Sequence, residues 1–373
     1  MSNMRIGKGR GLKLAGLALA LSFLTGTGAA YASGEGAGLL SGVLSLDVSC
    51  GYDGNAKAGR YAPMEISVGN GGEDEFTGVV SIVTMEADEE IYSYEYSVTV
   101  EGNGQEEMEI YVPLGTGSDQ VFVSVCNDSG QEMAEKRLKI EASEETAELF
   151  VGLLSDHPER LAYLDGVGVS FGALRTRAFP IATEDFPEEE RGLDTLDVLV
   201  VNDYRLRNLS EQQTRAIMDW VEAGGVMVLG TGDRVDDTLG RFAPELLDES
   251  YDSPQRMEIH PDGDGAMGEI PTETVEVSCV RVSLHGGTVL TADQGFPLLS
   301  VAMKEQGIVA VTAYDLGDIE AYGRANSSFV DEMFTDILGE ERISQLSAYI
   351  YGNTGEEYWA VQSAINTGNV EKL

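Results

Sequence analysis

The stretch that decides the fold runs from Leu196-Asp-Val-Leu-Val-Val201 through Ser210-Glu-Gln-Gln213 to Val226-Met-Val-Leu229. The first and last runs are almost entirely apolar, a pattern typical of strands that are covered on both faces of a sheet. Between them, Ser210 and Gln213 have the spacing of a helix capping box, and Gly224-Gly225 predicts where the helix ends. A strand, a helix and a strand in this order predict a right-handed crossover and a parallel sheet.

Similar patterns extend this region in both directions. Leu149-Phe-Val-Gly-Leu-Leu154 predicts an earlier buried strand, and Asp156-His-Pro-Glu159 has the features of a helix start, with Asp156 as the cap. Strands are expected again over residues 275–284 and 307–313, and residues 327–338 have the apolar spacing of an amphipathic helix. We therefore predict a three-layer α/β domain with a parallel, flavodoxin-like sheet over residues 149–345.

The residues before this region have a different period. From about Leu44 to Ile140, apolar and polar residues alternate in short runs such as Tyr92–Val100, and turn clusters such as Gly69-Asn-Gly-Gly72 separate the runs. Several short alternating strands with frequent turns predict an antiparallel β-sandwich of Ig-like type. We place this domain at residues 33–142 and a polar linker at residues 143–148.

Two cysteines fall at strand ends of the predicted sandwich. Cys50 follows an early strand and Cys126 follows a late one. In an exported protein they would either pair as a disulfide or remain two buried thiols, and the sequence leaves both alternatives open.

The first 32 residues have the pattern of a secretory signal peptide. Residues 1–13 carry four basic side chains and no acidic one, Leu14–Leu24 is an apolar run, and Ala30-Tyr-Ala32 provides small residues for cleavage. The apolar run is shorter than the ~20 residues that span a bilayer. The sequence thus predicts an exported protein, located at the extracellular face of the membrane or in the cell envelope.

The net charge of the chain and one acidic segment limit which partners and metal ions are expected. The chain has 24 Lys and Arg against 64 Asp and Glu, a formal net charge of −40, which argues against nucleic acid as a partner. Asp262-Gly-Asp-Gly265, with Glu258, His260 and Glu269 nearby, suggests Ca²⁺, but Ala266 interrupts the alternate oxygen ligands and a solvated acidic loop is favoured. We expect no cofactor and no metal.

The segments Asp197–Asp203, Ser210–Ala223 and Gly224–Gly232 resemble the central part of class I glutamine amidotransferase-like domains. More narrowly, they are similar to the non-catalytic versions found in large bacterial cell-envelope proteins. Those proteins place a β-sandwich before the α/β domain and often continue into transmembrane helices. The resemblance implies an envelope protein whose last segment, residues 346–373, leads toward a membrane anchor.

The same resemblance implies where an active relative would carry its nucleophilic Cys, in the tight turn after the second strand. Gly232 stands at about that position, Cys279 lies within a predicted strand, and His285 has no Glu at a matching spacing. We therefore predict no catalytic residue.

A ligand site, if the α/β domain has one, is expected where its strands end. The residues expected to line it are Asn202, Asp203, Tyr204, Thr231 and Asp233. The favoured interpretation is a non-catalytic binding or scaffolding module for an envelope protein or a small ligand. The alternatives are a hydrolase or other enzyme in this cleft, with Thr231 or Ser155 as nucleophile and His157 or His285 as base, and a Ca²⁺-dependent adhesion module.

Overall fold

The computed structural model describes residues 43–85, 91–115, 119–140, 147–184, 186–264 and 273–347. The predicted signal peptide, most of the predicted linker and nearly all of the C-terminal segment lie outside the described residues. The chain divides into two units, the first with residues 43–49 and Met64–Lys139, the second with Cys50–Pro63 and residues 140–347. The segment Cys50–Pro63 therefore groups with the second unit, although the predicted boundaries place it in the sandwich.

The first unit is built from seven strands. They are β1 (Leu44–Cys50), β2 (Tyr61–Asn70), β3 (Phe76–Met85), β4 (Ile91–Val100), β5 (Gln105–Pro113), β6 (Gln120–Asn127) and β7 (Glu132–Lys139). One sheet has the order β1-β2-β5, and the other has the order β4-β3-β6-β7 with antiparallel pairs. Alternate residues such as Ile66, Val80 and Ile82 are fully buried while their neighbours in the strands are more exposed. One covered face per sheet is consistent with the predicted β-sandwich.

The second unit is built on an eight-stranded sheet and a separate hairpin. Its strands are β8 (Ala147–Leu154), β9 (Gly168–Val169), β10 (Leu174–Pro180), β11 (Val198–Val201), β12 (Val226–Gly230), β13 (Gln255–Ile259), β14 (Val275–Cys279), β15 (Thr288–Asp293), β16 (Phe296–Lys304) and β17 (Gly307–Thr312). The large sheet has the order β15-β16-β17-β12-β11-β8-β10-β9, and β13 pairs with β14.

The large sheet is mixed, which corrects the expectation of a parallel sheet. The five neighbouring strands β10, β8, β11, β12 and β17 are parallel to one another. At the two edges of the sheet, β9, β15 and β16 add antiparallel pairs. Short turns join β15 to β16 and β16 to β17, and a short turn can connect only antiparallel neighbours. The strand expected over residues 275–284 ends at Cys279 and pairs outside the large sheet.

The helices are α1 (Glu211–Glu222), α2 (Val235–Thr238), α3 (Ala243–Leu246), α4 (Glu320–Ala325) and α5 (Ser327–Ser347), with 3-10 helices at Pro158–Leu164, Glu190–Leu193, Leu206–Asn208 and Gly232–Arg234. The capping box of Ser210 and Gln213 forms as predicted. The helix expected after Asp156 is a 3-10 helix, and its cap residue is His157. Helix α5 extends past the expected end, with a break at Gly339, where φ is +70°.

Both faces of the large sheet are covered. In β11, Val198 and Val200 face one core with helix α5, while Leu199 and Val201 face the other core with helix α1. This explains why β11 and β12 contain no polar side chain. Within the described residues, no helix is both long enough and apolar enough to cross a membrane.

Candidate functional site

The carboxyl ends of β8, β11, β12 and β17 meet at one edge of the large sheet. The chain passes from β8 to β10 on one side and then returns to β11 on the other side, so the strand order reverses between β8 and β11. In open α/β sheets, ligands bind in the crevice at such a reversal. The polar residues that follow these strands form the candidate site.

Asn202, directly after β11, is 1% exposed and bonds across the sheet edge. Its Nδ2 donates to Asp315 Oδ1 over 2.8 Å, and its Oδ1 accepts from the Leu316 backbone N–H over 2.8 Å. The side chain has room because β12 ends in Gly230, where a Cβ atom would lie 1.8 Å from Asn202 Oδ1. Asn202 therefore ties the end of β11 to the segment that follows β17.

Asp315 is a buried carboxylate, 7% exposed, and its Oδ1 also accepts from the Gly317 backbone N–H over 2.6 Å. Burial raises the pKa of the Asp315 carboxyl; the nearby Asp318 and Asp203 add to this shift, and the hydrogen bonds from Asn202 and Gly317 oppose it. Asp315 is absent from the residues expected at this site. It follows the apolar strand β17 as Asp203 follows β11, so the same strand-end rule would have found it.

Two arginines surround Asp203. Arg234 Nη1 donates to the Asp203 carboxylate, to the Asp203 backbone carbonyl over 3.0 Å and to Asp156 Oδ2 over 3.0 Å. Arg160 Nη1 lies 3.9 Å from Asp203 Oδ2, and Arg160 Nη2 donates to Asp318 Oδ1 over 2.8 Å. Asp203 has a left-handed backbone with φ +49°, which Asp tolerates better than most residues. The site is thus a network of charges that pair with one another.

Thr231 and Gly232 follow β12. Thr231 is 1% exposed; its hydroxyl donates to the Thr312 carbonyl over 2.7 Å and its N–H donates to the Tyr314 carbonyl over 3.1 Å. Gly232 has φ +71°, and a Cβ atom there would lie 3.0 Å from the Asp315 nitrogen and 3.2 Å from the Ser278 carbonyl oxygen. A side chain at position 232 would require these backbone atoms to shift.

The other two expected residues bond elsewhere. Tyr204 is 2% exposed, its hydroxyl lies 2.9 Å from Thr183 Oγ1, and burial raises the pKa of its phenol. Asp233 is exposed and accepts a 2.5 Å hydrogen bond from Ser278 Oγ. The structure therefore brings Asn202 and Asp203 into the polar network at the sheet edge. It places Thr231 at the same edge with backbone partners, and it gives Tyr204 and Asp233 other partners.

The alternative nucleophiles and bases have partners of their own. Ser155 Oγ accepts from the His157 backbone N–H over 3.0 Å, and His157 Nδ1 lies 3.3 Å from Glu159 Oε1. His285 Nδ1 lies 2.6 Å from Asp248 Oδ1. The imidazole contacts of both histidines thus go to carboxylates, not to a hydroxyl or thiol.

The acidic loop also forms internal contacts. Asp262 accepts from the Tyr322 hydroxyl, Asp264 Oδ1 accepts from the Gln294 N–H over 2.8 Å, and the His260 N–H donates to Asp293 Oδ2 over 3.0 Å. Gly265, Ala266 and Glu269 lie outside the described residues. In the part of the chain that is described, no group of three or more His, Cys, Asp or Glu side chains could hold a metal ion.

Cys50, Cys126 and Cys279 are free thiols in the structure. Cys279 is 1% exposed, and burial raises the pKa of its thiol to about 11.

Known proteins are similar to parts of this chain at low identity. Residues 43–141 match the family model described as "Domain of unknown function (DUF8726)", and no curated protein matches. Among solved structures, the cytoplasmic protein STM1381 from Salmonella typhimurium LT2 is 15% identical, with coverage of 51% of this chain and 98% of that chain and a TM-score of 0.35. The cytoplasmic protein STM3548 from Salmonella typhimurium is 15% identical, with coverage of 45% and 87% and a TM-score of 0.31. The CARDB domain of the PF1109 protein from Pyrococcus furiosus is 14% identical, with coverage of 28% and 94% and a TM-score of 0.21.

Proposed function

We propose that this protein is an exported, non-catalytic binding and scaffolding module of the bacterial cell envelope. Its units correspond to an Ig-like sandwich and an amidotransferase-like α/β domain of flavodoxin type. The parallel order β10-β8-β11-β12-β17 supports the second assignment, because in chain order it is the flavodoxin arrangement of a sheet that reverses after its first strand. The signal-peptide pattern of residues 1–32 supports export.

One observation carries the non-catalytic part of the proposal. The resemblance places a nucleophilic Cys of active relatives at about position 232. Here Gly232 occupies that turn, and backbone atoms of Asp315 and Ser278 stand 3.0 and 3.2 Å from the place of a Cβ atom. The neighbouring Thr231 hydroxyl and Asn202 amide already bond within the chain. These contacts support a role in holding the strand ends together.

Turnover assays on the mature chain, residues 33–373, test this proposal. The substrates are glutamine, a series of p-nitrophenyl esters and a series of amides, and we expect rates equal to the buffer background. The matched variants are Thr231→Val alone and the triple variant Asp203→Asn, Thr231→Ala and Asp233→Asn, each checked for a native circular dichroism spectrum. Turnover that falls about tenfold or more in these variants would contradict the proposal.

The environment of Asp315 favours the alternative that the protein is an enzyme. A buried carboxyl with a raised pKa next to a second carboxylate is an arrangement suited to general acid catalysis. If any substrate turns over, Asp315→Asn distinguishes the alternatives, because Asn Oδ1 can still accept from the Gly317 N–H and the Asn202 amide while the proton donor is lost. Loss of turnover in this variant would establish the hydrolase alternative.

Export is tested separately by N-terminal sequencing of the protein from fractionated cells. We expect a chain that begins at Ser33 in the envelope or medium fraction. A chain that begins at Met1 and stays in the cytosol would contradict export.

A further inference from the structure

A fully exposed phenylalanine lies at the tip of the hairpin between β9 and β10. Phe171 is 105% exposed, whereas the next most exposed large apolar side chain of the described residues, Met303, is 67% exposed. The hairpin leads into the start of β10, which pairs in parallel with β8. Phe171 therefore lies at the amino-terminal edge of the parallel strands, opposite to the candidate site.

The backbone at this tip has a conformation that bulky residues avoid. Ser170, Phe171 and Gly172 have φ values of +52°, +58° and +80°, and the Ala173 N–H donates to the Ser170 carbonyl over 3.1 Å. Positive φ at both central residues is the type I′ pattern, in which Asn, Asp or Gly usually occupies the position of Phe171. A left-handed bulky residue is a genuine outlier.

Helix α5 holds the tip in place. The Ser170 N–H donates to Asp331 Oδ1 over 2.6 Å and lies 3.2 Å from Thr335 Oγ1, which itself donates to Asp331 Oδ1 over 3.1 Å. Val169 and Leu174, on either side of the turn, are 0% exposed. A charge-assisted hydrogen bond and two buried anchors thus present Phe171 on a fixed support.

We propose that Phe171 is the anchor of a protein–protein contact and inserts into an apolar pocket with a basic rim on the partner. Neither the solvated ring nor the left-handed backbone stabilises the isolated fold, and backbone strain of this kind concentrates at functional sites. Aromatic side chains are frequent anchors of interfaces. This inference deepens the binding role proposed above and rests on it for the existence of a partner.

The basic rim follows from the charge of the chain. Asp331 bonds the tip, the exposed Glu332 follows it on helix α5, and one exposed basic residue, Arg175, lies in the same hairpin. Acidic residues therefore outnumber basic ones among these three, and the net charge of the whole chain is −40. A second copy of the chain would repel this surface, and one aromatic ring buries too little apolar area for stable attachment to a membrane. A partner with an apolar pocket and positive charge around it is complementary to the Phe171 ring and to the acidic surface beside it.

Site-specific cross-linking of the full chain in its native host tests the proposal. Phe171 is replaced by p-benzoylphenylalanine, and Met303 receives the same replacement as the matched exposed control. We expect one protein adduct that forms from position 171 and not from position 303. An adduct with lipid, with a second copy or equally from both positions would overturn the proposal.

The cross-linked protein is then purified, and its Kd for the unmodified chain is measured by calorimetry. We expect Phe171→Asn to weaken binding by about 30-fold or more, Phe171→Leu by much less, and Met303→Ser not at all. Salt near 0.5 M should weaken binding relative to salt near 0.05 M. Because Asn suits the turn, Phe171→Asn should melt at or above the wild-type temperature, so that lost binding cannot reflect misfolding. Unchanged binding by this variant would overturn the anchor while leaving the turnover test of the proposed function untouched.

Discussion

Lys57 Nζ lies 2.6 Å from Asp197 Oδ2, and the two side chains are 8% and 1% exposed. Lys57 belongs to the segment Cys50–Pro63, and Asp197 directly precedes β11. Lys57 Nζ also donates to the Glu148 carbonyl over 3.0 Å, and the Phe150 N–H donates to Asp197 Oδ2 over 2.8 Å. This buried ion pair attaches the segment to the strands β8 and β11 within the second unit.

Replacement of this lysine should destabilise the second unit. Lys57→Met removes the nearest counterion of a buried carboxylate, and breaking such a pair costs about 3–5 kcal/mol. Arg60 Nη2 stays 3.6 Å from Asp197 Oδ1, so we expect a value near the lower end. Urea denaturation of the mature chain measures the change in unfolding free energy.

Two further variants test whether the loss comes from leaving a buried charge without its partner. Lys304 pairs with Glu245 over 2.6 Å at the surface, and Lys304→Met should cost less than about 1 kcal/mol. The double variant Lys57→Met and Asp197→Leu removes both buried charges and should recover much of the loss. Equal losses from Lys57→Met and Lys304→Met would contradict the role of the buried pair.

The carboxyl of Asp315 should make stability depend on pH. Its folded pKa is raised above 3.8, mainly by burial, so the folded chain binds this proton more tightly than the unfolded chain. The contribution of this group to stability therefore falls as pH rises from below 3.8 through the folded pKa. Asp315→Asn cannot titrate, and its unfolding free energy relative to wild type should be higher at pH 7 than near pH 3.8. Urea denaturation at both pH values tests this; a pH-independent difference would contradict it.

Local signals predicted most of the elements, and pairing between distant segments explains those that were missed. The capping box of Ser210 and Gln213 and the alternation in the sandwich strands depend only on neighbours in the sequence. In contrast, Pro297 lies within β16, and register shifts near Thr291 interrupt the pairing of β15. These strands form because β16 pairs with β17, a contact that periodicity does not reveal.

The position of the candidate site could be predicted, but its partners could not. The strand-end rule placed Asn202 and Thr231 at the carboxyl edge of the parallel strands, where they lie in the structure, because parallel strands share one direction. Arg160 and Arg234 reach Asp203 from two different 3-10 helices, and their local sequences carry no signal for this approach. Their contact with Asp203 depends on how the fold brings separate segments together.

The close approach between Gly230 and Asn202 predicts a sharp sensitivity to one methyl group. In Gly230→Ala, the new Cβ atom would stand 1.8 Å from Asn202 Oδ1 and would displace the hydrogen bonds to Asp315 and Leu316. We expect a loss of about 1–3 kcal/mol or more, as for other overpacked sites. Thermal denaturation measures it, with Gly168→Ala as the control, because a Cβ atom there would meet only an ordinary 3.5 Å contact. Similar losses in both variants would show that the sheet edge is not specially crowded.

The thiols should differ in reactivity, since burial protects two of them. Cys50 and Cys279 are buried, and burial raises the pKa of the Cys50 thiol to about 12 and that of Cys279 to about 11, whereas Cys126 is half-buried. Because the thiolate is the reactive form, a disulfide reagent such as DTNB should modify Cys126 first in the native chain.

The other two thiols should react only on unfolding, and Cys126→Ser should remove the fast phase. The total number of thiols that react with DTNB in guanidinium shows whether the unfolded chain contains a disulfide. Three thiols match the structure, whereas a single thiol would mean that two of the three cysteines are joined in the exported protein, and loss of that disulfide in Cys126→Ser would assign Cys126 to it.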